Sequence, residues 1–298
     1  MDDARAAEAA TAEPQARRIA LPGRGGSVAA LAFGPGERPF DVIFSHANGF
    51  NARTYRTILG PLADRMSILA YDLRGHGTTD LPTVTEGRTS WDDFSQDLQA
   101  LLERLDARDV VLAGHSMGAT TSLLAAAAMP ERVRALVLFE PVLVTAEARA
   151  QSIAGVRTNS PLALGAERRR DVFPSRQAAI EAYTGKGAFA RWTPAMLADY
   201  VEAGLRRRAD GTFELACSKA WEISNYLSHG HDPWAAFAAL RQPVRILRAE
   251  HASTTNLAPL AALPPHTQVE VAEIAGASHF LPMERPDIVA QALIAATA

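Results

Sequence analysis

The chain has 298 residues and a hydrophobic content of 48%, which is enough to bury a sizeable core as one large domain or as a core with an insertion. Its 30 lysines and arginines against 33 aspartates and glutamates give a net charge of −3, which argues against nucleic acid and anionic membrane surfaces as partners. The single cysteine excludes an intramolecular disulfide and a thiolate-rich metal site.

The N-terminal residues are predicted to form a loose tail over positions 1–17. They begin with acidic residues and contain no apolar segment of signal-peptide length. No later stretch reaches the roughly 18 consecutive apolar residues of a membrane span. We therefore expect a cytoplasmic protein with no membrane span.

From about residue 18, short β-rich runs alternate with longer helical segments. Seven runs are predicted strands, in chain order SVAALAF, FDVIFSH, MSILAYD, DVVLAGH, RALVLFE, VRILRAE and QVEVAEI. The segment WDDFSQDLQALLERLDA carries Phe94, Leu98, Leu101 and Leu102 on one helical face, which is typical of a helix packed on a core. This alternation predicts an α/β fold with a mostly parallel sheet flanked by helices.

The alternation breaks over residues 142–235, where charged clusters and aromatic residues lie in mainly helical sequence. We predict that this segment is a helical lid inserted over one edge of the sheet, so that residues 18–141 and 236–298 form the core. The arginine triplets at 168–170 and 206–208 are interpreted as solvated charges on the lid surface rather than as a phosphate site.

The sequence Gly114-His115-Ser116-Met117-Gly118 fits the pattern G-x-S-x-G between a predicted strand and a predicted helix. A strand-to-helix turn this sharp brings backbones so close that side chains at the glycine positions would collide. The strained turn pushes the serine oxygen out above the sheet. Ser116 is therefore the predicted nucleophile.

A serine hydroxyl is a weak nucleophile at its free pKa and needs a neighbouring base. His279 is the best placed of the eight histidines, because it follows the last predicted strand and precedes the final predicted helix in GASHFLPMERPDIVAQAL. We expect His279 to serve as the general base.

The motifs SHANGF, YDLRGHG, GHSMG and GASHF together resemble those of α/β-hydrolase fold enzymes with a helical lid. The resemblance covers nearly everything after the tail. It implies that the backbone N–H groups of Asn48 and Met117 form the oxyanion hole. The family's usual glycine is Ala47 here, which leaves the N–H of Phe50 as an alternative donor.

The acid that orients the histidine normally lies between serine and histidine in chain order. The resemblance implies that this acid lies in the loop after the strand that follows the lid. The position in that loop where an aspartate is expected holds Ala252. Two carboxylates remain: Glu250 on the same loop, and Glu140 directly after the strand RALVLFE, where some family members carry a glutamate. We predict Glu140, which ends a strand at the sheet edge where sites of open α/β folds gather, and keep Glu250 as the alternative.

These residues predict a serine hydrolase that cleaves a carboxylic ester, or a related acyl bond such as a thioester, lactone or activated C–C bond, through an acyl-enzyme. No cofactor and no metal are implied. The expected substrate is a small molecule with an apolar part, in a pocket for which Phe50, Trp192 and Trp221 are candidates. The alternative is a receptor-like, ligand-binding α/β-hydrolase with slow or vestigial catalysis.

Overall fold

The computed structural model describes residues 13–35, 39–156 and 160–298. Its strands are β1 (Gln15–Leu21), β2 (Gly26–Phe33), β3 (Val42–Ser45), β4 (Ile68–Tyr71), β5 (Val110–His115), β6 (Val133–Phe139), β7 (Val172–Phe173), β8 (Leu205–Arg207), β9 (Phe213–Leu215), β10 (Val244–Ala249) and β11 (Val269–Ile274).

Eight of these strands form one sheet in the order β1-β2-β4-β3-β5-β6-β10-β11. The pairs β1/β2 and β2/β4 are antiparallel, whereas the pairs from β4/β3 onward to β10/β11 are parallel. The prediction of a mostly parallel sheet flanked by helices is confirmed, and each of the seven predicted strands is present.

The N-terminal edge of the sheet corrects the predicted boundary of the tail. Strand β1 begins at Gln15, inside the segment 1–17 that was predicted to be loose, and pairs along its whole length with β2. Arg18 is exposed and Arg17 is half-buried, while Ile19 and Leu21 are buried. Charged side chains are typical of an edge strand and hide its β character in the sequence. Residues 1–12 of the predicted tail lie outside the described residues.

The helices of the described residues include both long core helices and short turns. They are α1 (Arg56–Leu59), α2 (Asp92–Arg104), α3 (Met117–Ala128), α4 (Ala146–Ile153), α5 (Pro161–Arg168), α6 (Arg176–Tyr183), α7 (Pro194–Gly204), α8 (Lys219–Leu227), α9 (Pro233–Ala239), α10 (Leu281–Glu284) and α11 (Pro286–Thr297). None of the helices in this described part of the chain combines the length and apolar character that a membrane span requires.

The core lies on both faces of the sheet, as β3 illustrates. Val42 and Phe44 belong to one buried cluster and Ile43 to the other, and all three side chains are fully buried. Successive residues of a strand point to opposite faces, so a strand covered on both sides is apolar at every position. This explains why the central strands appear in the sequence as continuous apolar runs.

The segment between β6 and β10 was predicted to be a mainly helical lid, but it is not helical throughout. It contains α4 to α8, and it also contains a small antiparallel sheet in the order β7-β9-β8. Its helices begin where a serine or threonine side chain accepts a hydrogen bond from a backbone N–H of the first turn, at Thr145, Ser160, Ser175, Thr193 and Ser218. The predicted boundary at 235 lies inside α9, which packs on the core helix α3.

Several buried histidines are held in the neutral form by the fold. Burial lowers the pKa of His76 and His229 to about 4, and that of His115 and His231 to about 3. Both ring nitrogens of His231 lack a hydrogen-bond partner among the described residues, and its ring stacks on Trp91 at a centroid distance of 4.6 Å. Protonation of such a ring places an unpaired charge in the interior.

We predict that His231→Phe makes the protein less sensitive to acid. Because the folded-state pKa of His231 is depressed, its contribution to stability is complete above about pH 6.5 and is lost progressively as pH falls toward about 3. Between pH 7 and pH 5 the free energy of unfolding should fall by about 1–2 kcal/mol less in the variant than in the wild type. Urea unfolding at the two pH values measures this difference.

The matched control is His251→Gln, since the His251 side chain is 63% exposed. It should show the same pH dependence as the wild type. If His231→Phe also shows an unchanged pH dependence, burial of a neutral His231 is not a source of acid sensitivity.

Candidate active site

Ser116 lies at the tight turn between β5 and α3, with backbone angles φ 55° and ψ −121°. A side-chain carbon on Gly114 would lie 2.6 Å from the carbonyl carbon of Gly118, and one on Gly118 would collide with the carbonyl oxygen of Ser45. Real side chains do not tolerate such contacts, so the turn requires glycine on both sides of the serine. A positive φ at a serine is a strained conformation that the surrounding packing has to enforce.

Three predicted residues form a continuous hydrogen-bonded line. The Oγ atom of Ser116 lies 2.9 Å from Nε2 of His279, and Nδ1 of His279 lies 3.1 Å from Oε2 of Glu140. Glu140 is fully buried, Ser116 is 7% exposed, and the His279 side chain is 20% exposed. The residues come from the carboxyl ends of β5 and β6 and from the loop after β11, where sites of open parallel sheets gather.

The Glu140 carboxylate is held on both oxygens. Oε1 accepts hydrogen bonds from the N–H of Ala249 at 2.6 Å and the hydroxyl of Ser253 at 2.7 Å, and Oε2 accepts one from the N–H of Thr254 at 3.1 Å. The Thr254 hydroxyl oxygen lies 3.3 Å from Nδ1 of His279. A buried carboxylate needs such donors, because an uncompensated buried charge is strongly destabilising.

The structure does not bring Glu250 to His279. The Glu250 side chain is 44% exposed, and its Oε2 accepts a hydrogen bond from the N–H of Gly276 at 2.7 Å. Ala252, where the sequence pattern led us to expect an acid, adopts a left-handed conformation with φ 51°. The loop that carries Ala252 therefore supplies hydrogen-bond donors to Glu140 instead of supplying the carboxylate.

The predicted oxyanion loop, residues 46–50, follows β3 and faces the start of α3. The N–H of Met117 is at the first position of that helix, where backbone donors have no intrahelical partner. Within the described parts of the chain, the N–H of Asn48 donates to no protein acceptor. The alternative donor is engaged, because the N–H of Phe50 donates to the carbonyl of Ala47 at 3.1 Å.

A buried chain of hydrogen bonds connects the oxyanion loop with the histidine loop. The hydroxyl of Tyr55 accepts from the N–H of Ala47 at 3.2 Å and donates to Nδ1 of His115 at 2.8 Å. Nε2 of His115 then donates to the carbonyl of His279 at 2.8 Å. Burial, with a further contribution from His279, lowers the pKa of His115 to about 3, so the ring stays neutral and keeps this tautomer. Sequence reasoning treated His115 only as part of the turn motif.

A pocket of about 560 Å³ opens beside Ser116 and His279. This volume lies in the range of small-molecule sites. Its walls combine the sheet edge with the segment between β6 and β10, and the surface they present is mainly apolar, with contributions from Ala47, Phe50, Trp91, Met117, Val142, Pro161, Leu162, Ala166, Ala188, Phe189 and Phe280.

Of the three candidate pocket residues, Phe50 lines this pocket and the two tryptophans do not. Trp221 is buried elsewhere, and its indole N–H donates to the carbonyl of Arg74 at 2.8 Å. Trp192 packs behind the wall, with ring-centroid distances of 5.3 Å to Phe50 and 4.9 Å to Phe189. The placement of Trp192 and Trp221 in the pocket was wrong, because both serve to pack the segment between β6 and β10.

The polar part of the pocket contains an ion pair that the sequence analysis missed. Nη2 of Arg169 lies 2.5 Å from Oε2 of Glu222, and both side chains line the pocket. Arg168 and Arg170 are exposed, as expected, but Arg169 turns inward, so the interpretation of the whole triplet as solvated was wrong. The partner lies 53 positions further along the chain, and no local motif marks the pair.

Comparison with known proteins agrees with this architecture. The chain matches the model of the alpha/beta hydrolase family over residues 42–292 and belongs to that family, which confirms the resemblance found in its motifs. It is 28% identical to 2-(acetamidomethylene)succinate hydrolase of Mesorhizobium japonicum over 257 residues, covering 85% of this chain and 86% of that protein. It is 30% identical to 3-oxoadipate enol-lactonase 2 of Acinetobacter baylyi over 118 residues, covering 40% of this chain and 43% of that protein.

Solved structures show the same similarity. The crystal structure of E-2-(acetamidomethylene)succinate hydrolase has a TM-score of 0.74 to this chain at 26% identity, covering 95% of this chain and 98% of that chain. A thioesterase domain from the curacin biosynthetic pathway has the same TM-score at 17% identity, covering 95% of this chain and 100% of that chain, and shares the fold.

We predict that Tyr55→Phe destabilises the protein more than Tyr71→Phe does. The first change leaves the Ala47 N–H and the His115 Nδ1 without partners, and each unsatisfied buried group costs about 1–3 kcal/mol. The Tyr71 hydroxyl is also buried, but among the described residues it makes one hydrogen bond, which it accepts from the Ser45 hydroxyl at 3.2 Å. Urea unfolding should show a loss of about 2 kcal/mol or more for Tyr55→Phe and about 1 kcal/mol for Tyr71→Phe. Equal losses would contradict a bridging role for Tyr55.

Proposed function

We propose that this protein is a serine hydrolase that cleaves a carboxylic ester or a related acyl bond through an acyl-enzyme. The observation that carries the proposal is the line from Ser116 Oγ to His279 Nε2 at 2.9 Å and from His279 Nδ1 to Glu140 Oε2 at 3.1 Å. A nucleophile in contact with a base that is itself oriented by a carboxylate is the arrangement that serine hydrolysis requires.

Acylation begins when Ser116 Oγ attacks the carbonyl carbon of the substrate while His279 Nε2 takes the hydroxyl proton. The negative charge that develops on the carbonyl oxygen is received by the N–H groups of Asn48 and Met117. Donors placed in advance at this position lower the barrier, and removal of one donor costs about 3 kcal/mol in a comparable enzyme. His279 then gives its proton to the leaving group as the C–O bond breaks.

Deacylation repeats these steps with water as the nucleophile. His279 takes a proton from water, the resulting hydroxide attacks the acyl carbon, and Ser116 leaves with the proton from His279. During both steps Glu140 stabilises the imidazolium form of His279 and fixes its tautomer. Full burial of Glu140 strengthens this interaction, because water does not screen it.

The segment from residue 142 to 235 acts as a lid in this proposal. Its residues Leu162, Ala166 and Phe189 help to enclose the pocket beside Ser116. An enclosed apolar pocket excludes bulk water and suits a small substrate with an apolar part. A cytoplasmic location stays a prediction from the sequence.

The named relatives support hydrolysis of an acyl bond. One is named a hydrolase and matches 85% of this chain, and another is named an enol-lactonase. A lactone is a cyclic ester, so its hydrolysis is the chemistry proposed here. A missing acid would favour the ligand-binding alternative, and the 3.1 Å contact between Glu140 Oε2 and His279 Nδ1 supports the hydrolase instead.

We predict that a fluorophosphonate probe labels Ser116 rapidly and that Ser116→Ala abolishes labelling. Ser116→Ala should also lower kcat for simple acyl esters by about 10⁴-fold or more, because the attacking atom is removed. Mass spectrometry of the labelled peptide and initial-rate kinetics measure the two effects.

The control for this experiment is Ser90→Ala, at a half-buried serine whose hydroxyl, within the described part of the chain, forms hydrogen bonds with its neighbour Asp92 alone. The Ser90→Ala variant should be labelled at Ser116 as rapidly as the wild type. Slow or absent labelling of a folded wild-type protein would favour the ligand-binding alternative over the hydrolase.

We predict that Glu140→Gln lowers kcat by about 10⁴-fold, as the comparable change in a serine protease does, because the amide keeps the shape but loses the charge that stabilises imidazolium. Glu250→Gln is the matched control, since Glu250 bonds to Gly276 and not to His279. It should stay within about tenfold of the wild type. Parallel kinetics on the two variants distinguish them, and a severe loss confined to Glu250→Gln would overturn the assignment.

A further inference from the structure

The pocket beside Ser116 contains a guanidinium group whose presence fold stability does not explain. Arg169 and Glu222 form a largely buried ion pair in a pocket whose other walls are mainly apolar. A buried ion pair is weak evidence for stability, because well-packed apolar residues of similar volume often serve as well or better. The Arg169–Glu222 pair therefore calls for a role in recognition.

The Arg169 guanidinium has hydrogen-bonding capacity that the protein does not use. Its Nη2 donates to Glu222, and within the described residues Nη1 donates to no protein acceptor, while Nε is buried and also has no acceptor. A guanidinium presents five N–H donors in a planar fork and stays charged at every working pH. Glu222 occupies one nitrogen of the guanidinium, so N–H donors remain for a second carboxylate. Hydrogen bonds between arginine and a carboxylate are among the strong ones in proteins.

The ion pair is fixed relative to the reacting groups. Glu222 is in α8, and its carbonyl accepts a hydrogen bond from the Asn48 side chain at 3.2 Å, so the pair is tied to the oxyanion loop. Arg169 follows the last residue of α5, and α5 packs on α8. Burial raises the pKa of Glu222, and the adjacent Arg169 offsets part of this rise.

We infer that the pocket selects acyl substrates that carry a carboxylate in addition to the scissile bond, and that Arg169 binds this carboxylate. The inference rests on the proposed function and names its substrate class. A substrate with a neutral end would leave the donors of Arg169 unpaired in a mainly apolar pocket, which is the basis of strong discrimination between isosteric substrates. The apolar walls formed by Phe50, Phe189 and Phe280 would hold the part of the substrate between its two polar ends.

Three methyl esters of equal chain length test the inference. Monomethyl adipate carries a carboxylate, methyl adipamate carries a neutral amide, and methyl hexanoate ends in a methyl group. We expect the wild-type kcat/KM for monomethyl adipate to exceed that for each neutral ester by about tenfold or more. A preference of this size is typical of hydrogen bonds to a charged group. Arg169→Gln should lower both ratios to one or below, because the carboxylate of Glu222 then repels the anionic ester.

Arg168→Gln is the matched control, because it removes the same charge from the neighbouring exposed position. It should keep the wild-type ratios. Since Arg169→Gln leaves Glu222 without its partner, the double variant Arg169→Gln with Glu222→Gln serves as a second test in which no buried charge is left unpaired. The double variant should also lose the preference for monomethyl adipate.

Binding without turnover separates this inference from the proposed function. Calorimetric titration of Ser116→Ala with monomethyl adipate and with methyl hexanoate should give the adipate ester about tenfold tighter binding or more, and Arg169→Gln in the same background should remove this difference. If the esters are hydrolysed with equal efficiency, or if Arg169→Gln keeps the preference, the substrate class is wrong and the hydrolase proposal stands. If no ester is hydrolysed but monomethyl adipate binds through Arg169, the hydrolase proposal fails and the carboxylate site stands. Absence of both hydrolysis and monomethyl adipate binding overturns the inference.

Discussion

A carboxylate that is completely withdrawn from water at the end of β6 is the constraint on which the site depends. Glu140 is tolerated there only because Ala249, Ser253, Thr254 and His279 supply hydrogen bonds to its two oxygens. Leaving one buried charge unpaired would cost several kcal/mol, of the order of 3–5 kcal/mol in comparable cases. The loop after β10 must therefore wrap around the carboxylate, and in doing so it holds the histidine loop against the serine.

The turn that carries Ser116 is the second constraint. It lies on the opposite side of His279 from Glu140. Backbone strain at Ser116 persists because Gly114 and Gly118 let α3 approach β3 and β5 more closely than any side chain allows. Tyr55 and His115 then connect the oxyanion loop to the histidine loop through buried hydrogen bonds. Rigid strands thus fix Ser116, Glu140 and His279, while the segment between β6 and β10 supplies much of the wall of the pocket beside them.

The sequence was most informative where one interaction dominates. The central strands were predictable because they are apolar on both faces. The glycine-flanked serine was predictable because the turn has no room for side chains beside it. The final histidine was predictable because the serine needs a base. Strand β1 was missed because the charges of an edge strand hide its pattern, and β7 to β9 were missed because runs of two or three residues show no period. Glu140 and Glu250 could not be separated with certainty by chain order, since their difference is burial, which only the packed fold defines.

The segment between β6 and β10 shows why substrate preference is the hardest property to predict from sequence. From the sequence, an aromatic residue such as Trp221 is a candidate for the pocket wall. Its indole N–H needs an acceptor, however, and bonds to the Arg74 carbonyl outside the pocket. Of three adjacent arginines, Arg169 turns inward and meets a carboxylate, which belongs to a helix 53 positions away. Because Ser116, Glu140 and His279 lie at the ends of β5 and β6 and in the loop after β11, changes at α5 or α8 would alter which compounds fit the pocket without displacing these three residues.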